Sequence, residues 1–366
     1  MKAWVYRPDR HDGSGIFVFL EETPLPRVGA GDLLLRVKKT SVCGTDEMLF
    51  AGKLRRASSG VIPGHELCGE ILELGRDTAG FQPGQIVAVE SHYQVPGGLE
   101  EGVIGLWPPK TSEGRKLAPY NGGYAQFVRI PAACAHVLPA ELIDQPFWPS
   151  LFEPAGNDFL LARWLTHQVN PSRVGVFGCG PHGLYTQIFL SHLGVRQVVA
   201  FEPNPHRRAF AQQLGCASEV LQPDDPNLAR RVGELTRGEL FDACVDMVGQ
   251  SGDAFARCRQ LTREGGTVVL FGLFYKDFSI AGRNANDLIF RRQRLSGRYD
   301  GKQLSVVGIT GRDGIWGDLI GTVAANRELQ RQLMKPVTVV GPLDRLGENA
   351  RNRRPDLLKA AFEPFE

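Results

Sequence analysis

At 366 residues, 42% hydrophobic and 22% charged, the chain is ordinary globular material and long enough for two domains. Its 42 basic and 40 acidic side chains leave a net charge of +2, which argues against an electrostatic footprint for nucleic acid. No stretch approaches the roughly 20 apolar residues of a membrane-spanning helix, and MKAWVYRPDR lacks the apolar core of a secretory signal. Seven cysteines, at 43, 68, 134, 179, 216, 244 and 258, are dispersed without disulfide-scaffold spacing and favour a reducing compartment. The expectation is a cytoplasmic protein.

From the N-terminus, residues 1–150 read as strands and turns. GDLLLRVKKTSV alternates like a half-buried strand. VIPGHELCGEILELG and FQPGQIVAVE are strand-like runs punctuated by Pro-Gly turns. Residues 90–120, rich in Gly and Pro, predict a long surface excursion. Near 155 the pattern changes. GNDFLLARWLTHQ is helical in period, and VGVFG, HGLYTQIFLSHLG, QVVAFEP, HRRAFAQQLG, FDACVDMV, AFARCRQLTREGG and TVVLFGLF then alternate strand and helix. Such alternation predicts a parallel, doubly wound sheet. The fold class is therefore α/β: a Rossmann unit at 156–296 inserted in a discontinuous β-rich domain at 1–155 and 297–366. TVVLFGLF and FSIAGRNA mark the expected open edge of the parallel sheet.

Gly178, Gly180 and Gly183 form G-x-G-x-x-G between the apolar run RVGVF and a helix. The first glycine serves the tight turn, the second close approach of a pyrophosphate, and the third helix-on-strand packing. Pro181 and His182 complete the turn, and the helix N-terminus behind it favours an anion. An acid should end the next strand, and Glu202 does so. A carboxylate there accepts from both ribose hydroxyls and repels a 2′-phosphate, which favours NAD. Arg207 and Arg208 close behind leave NADP open.

Upstream lie donors for a catalytic zinc: Cys43 in SVCGTDE, His65 with Glu66 in PGHELCGE, and Glu153 in LFEPAGND. Asp46 is the candidate carboxylate behind the imidazole, with an Asx turn as its alternative. Thr45 offers a hydroxyl for the substrate's proton, or simply stabilises the turn. A Lewis acid upstream of a nicotinamide site predicts alcohol–ketone hydride transfer. Asn157, Asp158, His92, Trp107 and Arg298 are polar or aromatic candidates for substrate contact.

C-G-T-D at 43–46, P-G-H-E at 63–66, VRIPAACAHVLP at 128–139, EPAGN at 153–157, the glycine fingerprint and EPNPHRR at 202–208 occur in order. Over at least residues 1–300 the chain resembles the zinc-dependent medium-chain dehydrogenase/reductase (alcohol dehydrogenase) family. Within it the chain looks most like the L-threonine, polyol and sugar dehydrogenase branch. The resemblance implies a GroES-like catalytic domain beside the Rossmann domain. It also implies Cys43, His65 and Glu153 as zinc ligands, Glu66 as a nearby or alternate ligand, and His92 beside the substrate. The implied reaction is hydride transfer between NAD(H) and a secondary alcohol or ketone of a polar metabolite: a polyol, sugar, cyclitol or amino alcohol. An NADPH-dependent reductase and a non-catalytic dinucleotide-binding protein are the alternatives.

Three departures bear on function. No cysteine lies between Cys68 and Cys134, so one zinc and no structural zinc is expected. Met48 stands where threonine dehydrogenases carry a proton-handling histidine, which weakens threonine as substrate and moves the relay to Thr45 and the cofactor ribose. Residues 335–366 fit the family's closing pattern poorly, and no active-site residue is expected there.

Overall fold

The half-buried alternation at 31–42 becomes the strand Asp32–Ser41, the centre of the β-rich half of the chain. The structure is a computed structural model. It describes every residue except 11–12, 55–56, 96–97, 112–116, 144–147, 275–276, 311–313 and 353–356, and the side chains of 98–100, 111 and 148–153 are likewise not described. The chain divides into two compact units. One comprises Met1–Pro154, Trp316–Arg327 and Pro336–Glu366, and the other Ala155–Ile315 and Glu328–Lys335. Among the described residues no helix is long and apolar enough to cross a membrane.

In the first unit the main sheet runs in the order Ala135–Val137, Ile86–Val89, Glu66–Leu74, Asp32–Ser41, Lys359–Glu363, Val337–Pro342, with Phe127–Pro131 also paired to Asp32–Ser41. Alternate side chains point inward, so Leu33, Leu35, Val37, Leu67, Ile71, Val87 and Val89 share one core. Each such aliphatic side chain contributes about 1.5–3 kcal/mol by leaving water. A second core gathers Trp4, Val5, Tyr6, Phe50, Tyr124 and Phe362. The register sets Ser41 opposite Glu66 on one side and Ala361 on the other. Three distant segments thus meet at one point of the sheet.

In the second unit seven strands lie in the order Glu219–Leu221, Gln197–Phe201, Arg173–Phe177, Phe241–Asp246, Thr262–Leu270, Lys302–Gly308, Arg294–Tyr299. The first six are parallel, in the 3-2-1-4-5-6 order of a dinucleotide-binding fold. The last is antiparallel. Phe177, Val199, Phe201, Phe241, Val268, Leu270 and Leu304 fill the core.

Two expectations about this unit change. The sheet runs on through Gly308, past the expected boundary at 296. The strand Thr262–Leu270, expected at the edge, is interior, and FSIAGRNA forms the small hairpin Ser279–Ile280 with Arg283–Asn284. The actual long edge is Arg294–Tyr299. It folds back through Asp300 (φ 50°) and Gly301 (φ 81°), a two-residue turn with both central residues left-handed, to pair with Lys302–Gly308.

Candidate metal centre and dinucleotide site

Cys43 lies two residues past the end of the central strand and N-caps the helix Gly44–Phe50. Asp46, three positions on, returns its Oδ2 to the Cys43 N–H at 2.9 Å and completes a capping box. The same fully buried carboxylate presents Oδ1 to Nδ1 of His65 at 3.3 Å. Asp46 is therefore both turn stabiliser and histidine partner. With Nδ1 turned to Asp46, Nε2 is the nitrogen left to ligate a metal.

His65 is aimed by the turn before it. Gly64 sits at φ 94°, and a Cβ there would fall 2.6 Å from the ring of Tyr124, so only glycine fits. Tyr124 was missed in the sequence. Its hydroxyl lies 3.1 Å from the Ser41 carbonyl and 3.0 Å from Asp46 Oδ2, and donates at this junction. It braces the carboxylate that braces the histidine. Burial and the neighbouring carboxylates push the Tyr124 hydroxyl well above the usual tyrosine range, so it stays a donor.

Ligand atoms of Cys43, His65 and Glu66 all lie within 4.8 Å of one another. Thr45 Oγ1 is 3.9 Å from Cys43 Sγ. Glu66 is fully buried and firmly held: Lys359 Nζ lies 2.5 Å from its carboxylate oxygens, and Ser41 Oγ donates to Oε2. Lys359 is itself only 2% exposed. The segment 335–366 thus corrects the expectation that it carries nothing at the site. It supplies two strands of the main sheet and a buried ammonium beside the metal-type donors. Burial pulls the Lys359 pKa down, but Glu66, Cys43 and Asp46 raise it by more, so it stays charged.

The donor set fits zinc. A Cys43 thiolate, Asp46 and Glu66 carry three negative charges against one on Lys359, and a dication cancels the remainder inside a buried site. Without a dication, burial lowers the His65 pKa, yet Asp46 and Cys43 drive it well above the ordinary histidine range. Glu153 falls within the helix Trp148–Trp164, but its side chain lies outside the described residues. Asn157, on that helix, is half-buried. His92 pairs with Val103 in a short hairpin, and its Nδ1 is 3.1 Å from Ser91 Oγ. Arg298 is exposed on the edge strand, donating to the Gly301 carbonyl.

At the glycine turn Gly178 takes φ 101°, and a Cβ on Gly183 would meet the Gly178 carbonyl oxygen at 1.9 Å. The helix Pro181–His192 starts at Gly180 with no side-chain cap, so its leading N–H groups are left for a ligand anion. Glu202, 4% exposed, accepts from Cys179 N at 2.7 Å and Asn204 N at 2.9 Å. Each oxygen keeps further acceptor capacity. Asn204 caps the next helix, Pro205–Leu214. Arg208 donates to the Glu202 and Pro203 carbonyls, while the buried Nε of Arg207 has no hydrogen-bond partner among the described residues.

The chain thus combines a doubly wound sheet of dinucleotide-binding order with, in its β-rich unit, a converging thiol, imidazole and carboxylate. Residues 29–140 match the alcohol dehydrogenase GroES-like domain and residues 181–307 the zinc-binding dehydrogenase domain. The chain is 29% identical over 287 residues to L-threonine 3-dehydrogenase of Alteromonas mediterranea, covering 77% of this chain and 81% of that one. It is 28% identical over 294 residues to the Rhizobium rhizogenes L-threonine 3-dehydrogenase, covering 77% and 80%. In fold it resembles 2R,3R-butanediol dehydrogenase of Bacillus subtilis (TM-score 0.76, 22% identity, 99% of both chains). It likewise resembles alcohol dehydrogenase TADH of Thermus sp. ATN1 (TM-score 0.77, 22% identity, 100% of both). The chain belongs to the zinc-dependent medium-chain dehydrogenase/reductase, or alcohol dehydrogenase, family. It is a zinc-dependent oxidoreductase that acts on an alcohol with a nicotinamide dinucleotide.

Proposed function

We propose that the chain interconverts a polar secondary alcohol and its ketone with NAD(H) and a single catalytic zinc. The observation that carries this reading is the convergence of Cys43, His65 and Glu66 with Asp46 set behind the histidine. Cys43 and His65 hold the metal, with Glu66 and Glu153 as the carboxylates available to it. When bound, zinc polarises the alcohol oxygen and lowers the pKa of its proton. Asp46 fixes the imidazole, Lys359 and Ser41 fix Glu66, and the Thr45 hydroxyl beside Cys43 would relay the substrate proton, accepting it while passing its own on to the cofactor ribose and solvent. The helix starting at Pro181 takes the pyrophosphate, and Glu202 takes the ribose hydroxyls. The relatives named for threonine and butanediol point to short polar alcohols, and Met48 weighs against threonine. Turnover on a panel of amino alcohols, vicinal diols, polyols and sugars tests the substrate class. Activity confined to unsubstituted primary alcohols contradicts it.

The 90–120 excursion supports a single zinc. It packs through Tyr93, Ile104 and Leu106, and Tyr120 donates to Asp32 at 2.7 Å, so its described part is held without thiolates. Metal analysis should return one equivalent per chain, and two would contradict this reading.

NAD preference rests on Glu202. Glu202→Ala removes a charged acceptor, worth about 1.5–3 kcal/mol per hydrogen bond. NAD binding should weaken by roughly 10- to 150-fold while NADP binding holds or improves. If the wild type already uses NADP as well as NAD, Arg207 or Arg208 governs the site.

Self-association follows from the open edge Arg294–Tyr299. A homodimer or homotetramer is expected by light scattering, and a monomer at every concentration contradicts it.

A further inference from the structure

A histidine stands in the glycine turn, where neither the turn nor helix packing requires one. His182 occupies the second position of the helix Pro181–His192. Its Nδ1 lies 3.0 Å from Oδ2 of Asp158, and Asp158 Oδ1 accepts from Thr186 Oγ1 at 3.2 Å. Asp158, from the helix Trp148–Trp164, is fully buried, whereas the His182 side chain keeps 33% of its exposure. The Phe271 ring flanks the imidazole at 5.2 Å.

A buried carboxylate beside the start of this helix opposes an anion in the turn unless it is compensated. Other described charged groups at the ends of the neighbouring strands make contacts of their own. Glu202 accepts from Cys179 and Asn204 N–H groups, and Arg208 donates to carbonyls of its own loop. Asp246 accepts from Val248 and Gly249, and burial pushes its carboxyl up to about 6. When protonated, His182 sets a cation 3.0 Å from the Asp158 carboxylate.

We propose that His182 and Asp158 form a proton-linked determinant of dinucleotide affinity. The imidazolium adds a positive charge to the pyrophosphate turn, and Asp158 is the positioning residue that holds the ring and favours its charged form. This rests on the reading of Gly178–Gly183 as the dinucleotide site. The sign follows from linkage: anion binding raises the His182 pKa, so affinity is full below the pKa of the free protein. It is lost as pH rises through the pKa of the complex.

Fluorescence titration of the zinc-loaded full chain with NADH, from about pH 6 to 9, tests it. The wild type should lose roughly five- to tenfold in affinity across the range. His182→Leu should flatten the profile, His182→Lys should hold the tight end to higher pH, and Asp158→Asn should move the step to lower pH. If the wild-type step persists unchanged in His182→Leu, the pair has no such role although the dinucleotide site stands. If Asp158→Asn leaves the step in place, the positioning role of Asp158 is overturned. Should that variant fail to fold, the leucine and lysine variants decide alone. Absence of NADH binding at every pH removes the dinucleotide reading and this one with it.

Discussion

Cys43→Ser or His65→Ala abolishes turnover and empties the zinc site while the fold survives. Both side chains converge on the same point, and neither has a substitute among the described residues. Their removal takes one of the few donors a tetrahedral site has, where even an outer partner is worth about 10–100-fold in affinity. Survival of the fold follows from placement. Cys43 caps a helix of seven residues at a sheet end, and the two cores around Leu33 and Trp4 lie within the sheets. Metal analysis and circular dichroism on each variant check this. Full zinc content in either variant, or turnover near wild type, is the contrary result.

Lys359→Met destabilises the metal-free protein by about 3 kcal/mol or more, and the zinc-loaded protein by less. The substitution keeps the apolar stem but strands the Glu66 carboxylate, which is fully buried with Ser41 as its remaining side-chain donor among the described residues. A buried ion pair need not stabilise, yet breaking one partner is costly because the survivor cannot reach water. A dication beside Glu66 offers that carboxylate another counter-charge, hence the smaller loss with zinc bound. Glu66→Gln on the same background should recover part of the loss, with a coupling of about 1–3 kcal/mol. Urea unfolding of both forms measures it. Equal, small losses with and without zinc show that Lys359 is not the counter-ion of Glu66.

The parts of the site that chemistry confines to short segments were legible from residues alone. The glycine turn is local because one strand end, one tight turn and one helix start make it. PGHE is local because Gly64 must be left-handed to aim His65. Asp46 was readable as a partner for His65 but not as both cap and partner, since those roles depend on distances of 2.9 and 3.3 Å. Lys359 was not legible. It interrupts the apolar run LLKAAF without a periodic signal, and its partner lies 293 positions away. Tyr124 is similar, joined to Asp46 across 78 positions. The sheet edge had a readable sign that went unused: Asp300-Gly301 is a hairpin dipeptide, and it turns Arg294–Tyr299 back to cover what would have been the last parallel strand.

The central claim is zinc-dependent hydride transfer between an alcohol and a nicotinamide. It is tested most directly by following NADH formation from a panel of polar secondary alcohols with the zinc-loaded protein, the chelator-stripped protein and the stripped protein resupplied with zinc. Turnover on at least one secondary alcohol is expected, with its loss on stripping and its return with zinc. Undiminished turnover by the stripped protein, or none on any alcohol by the loaded one, contradicts it.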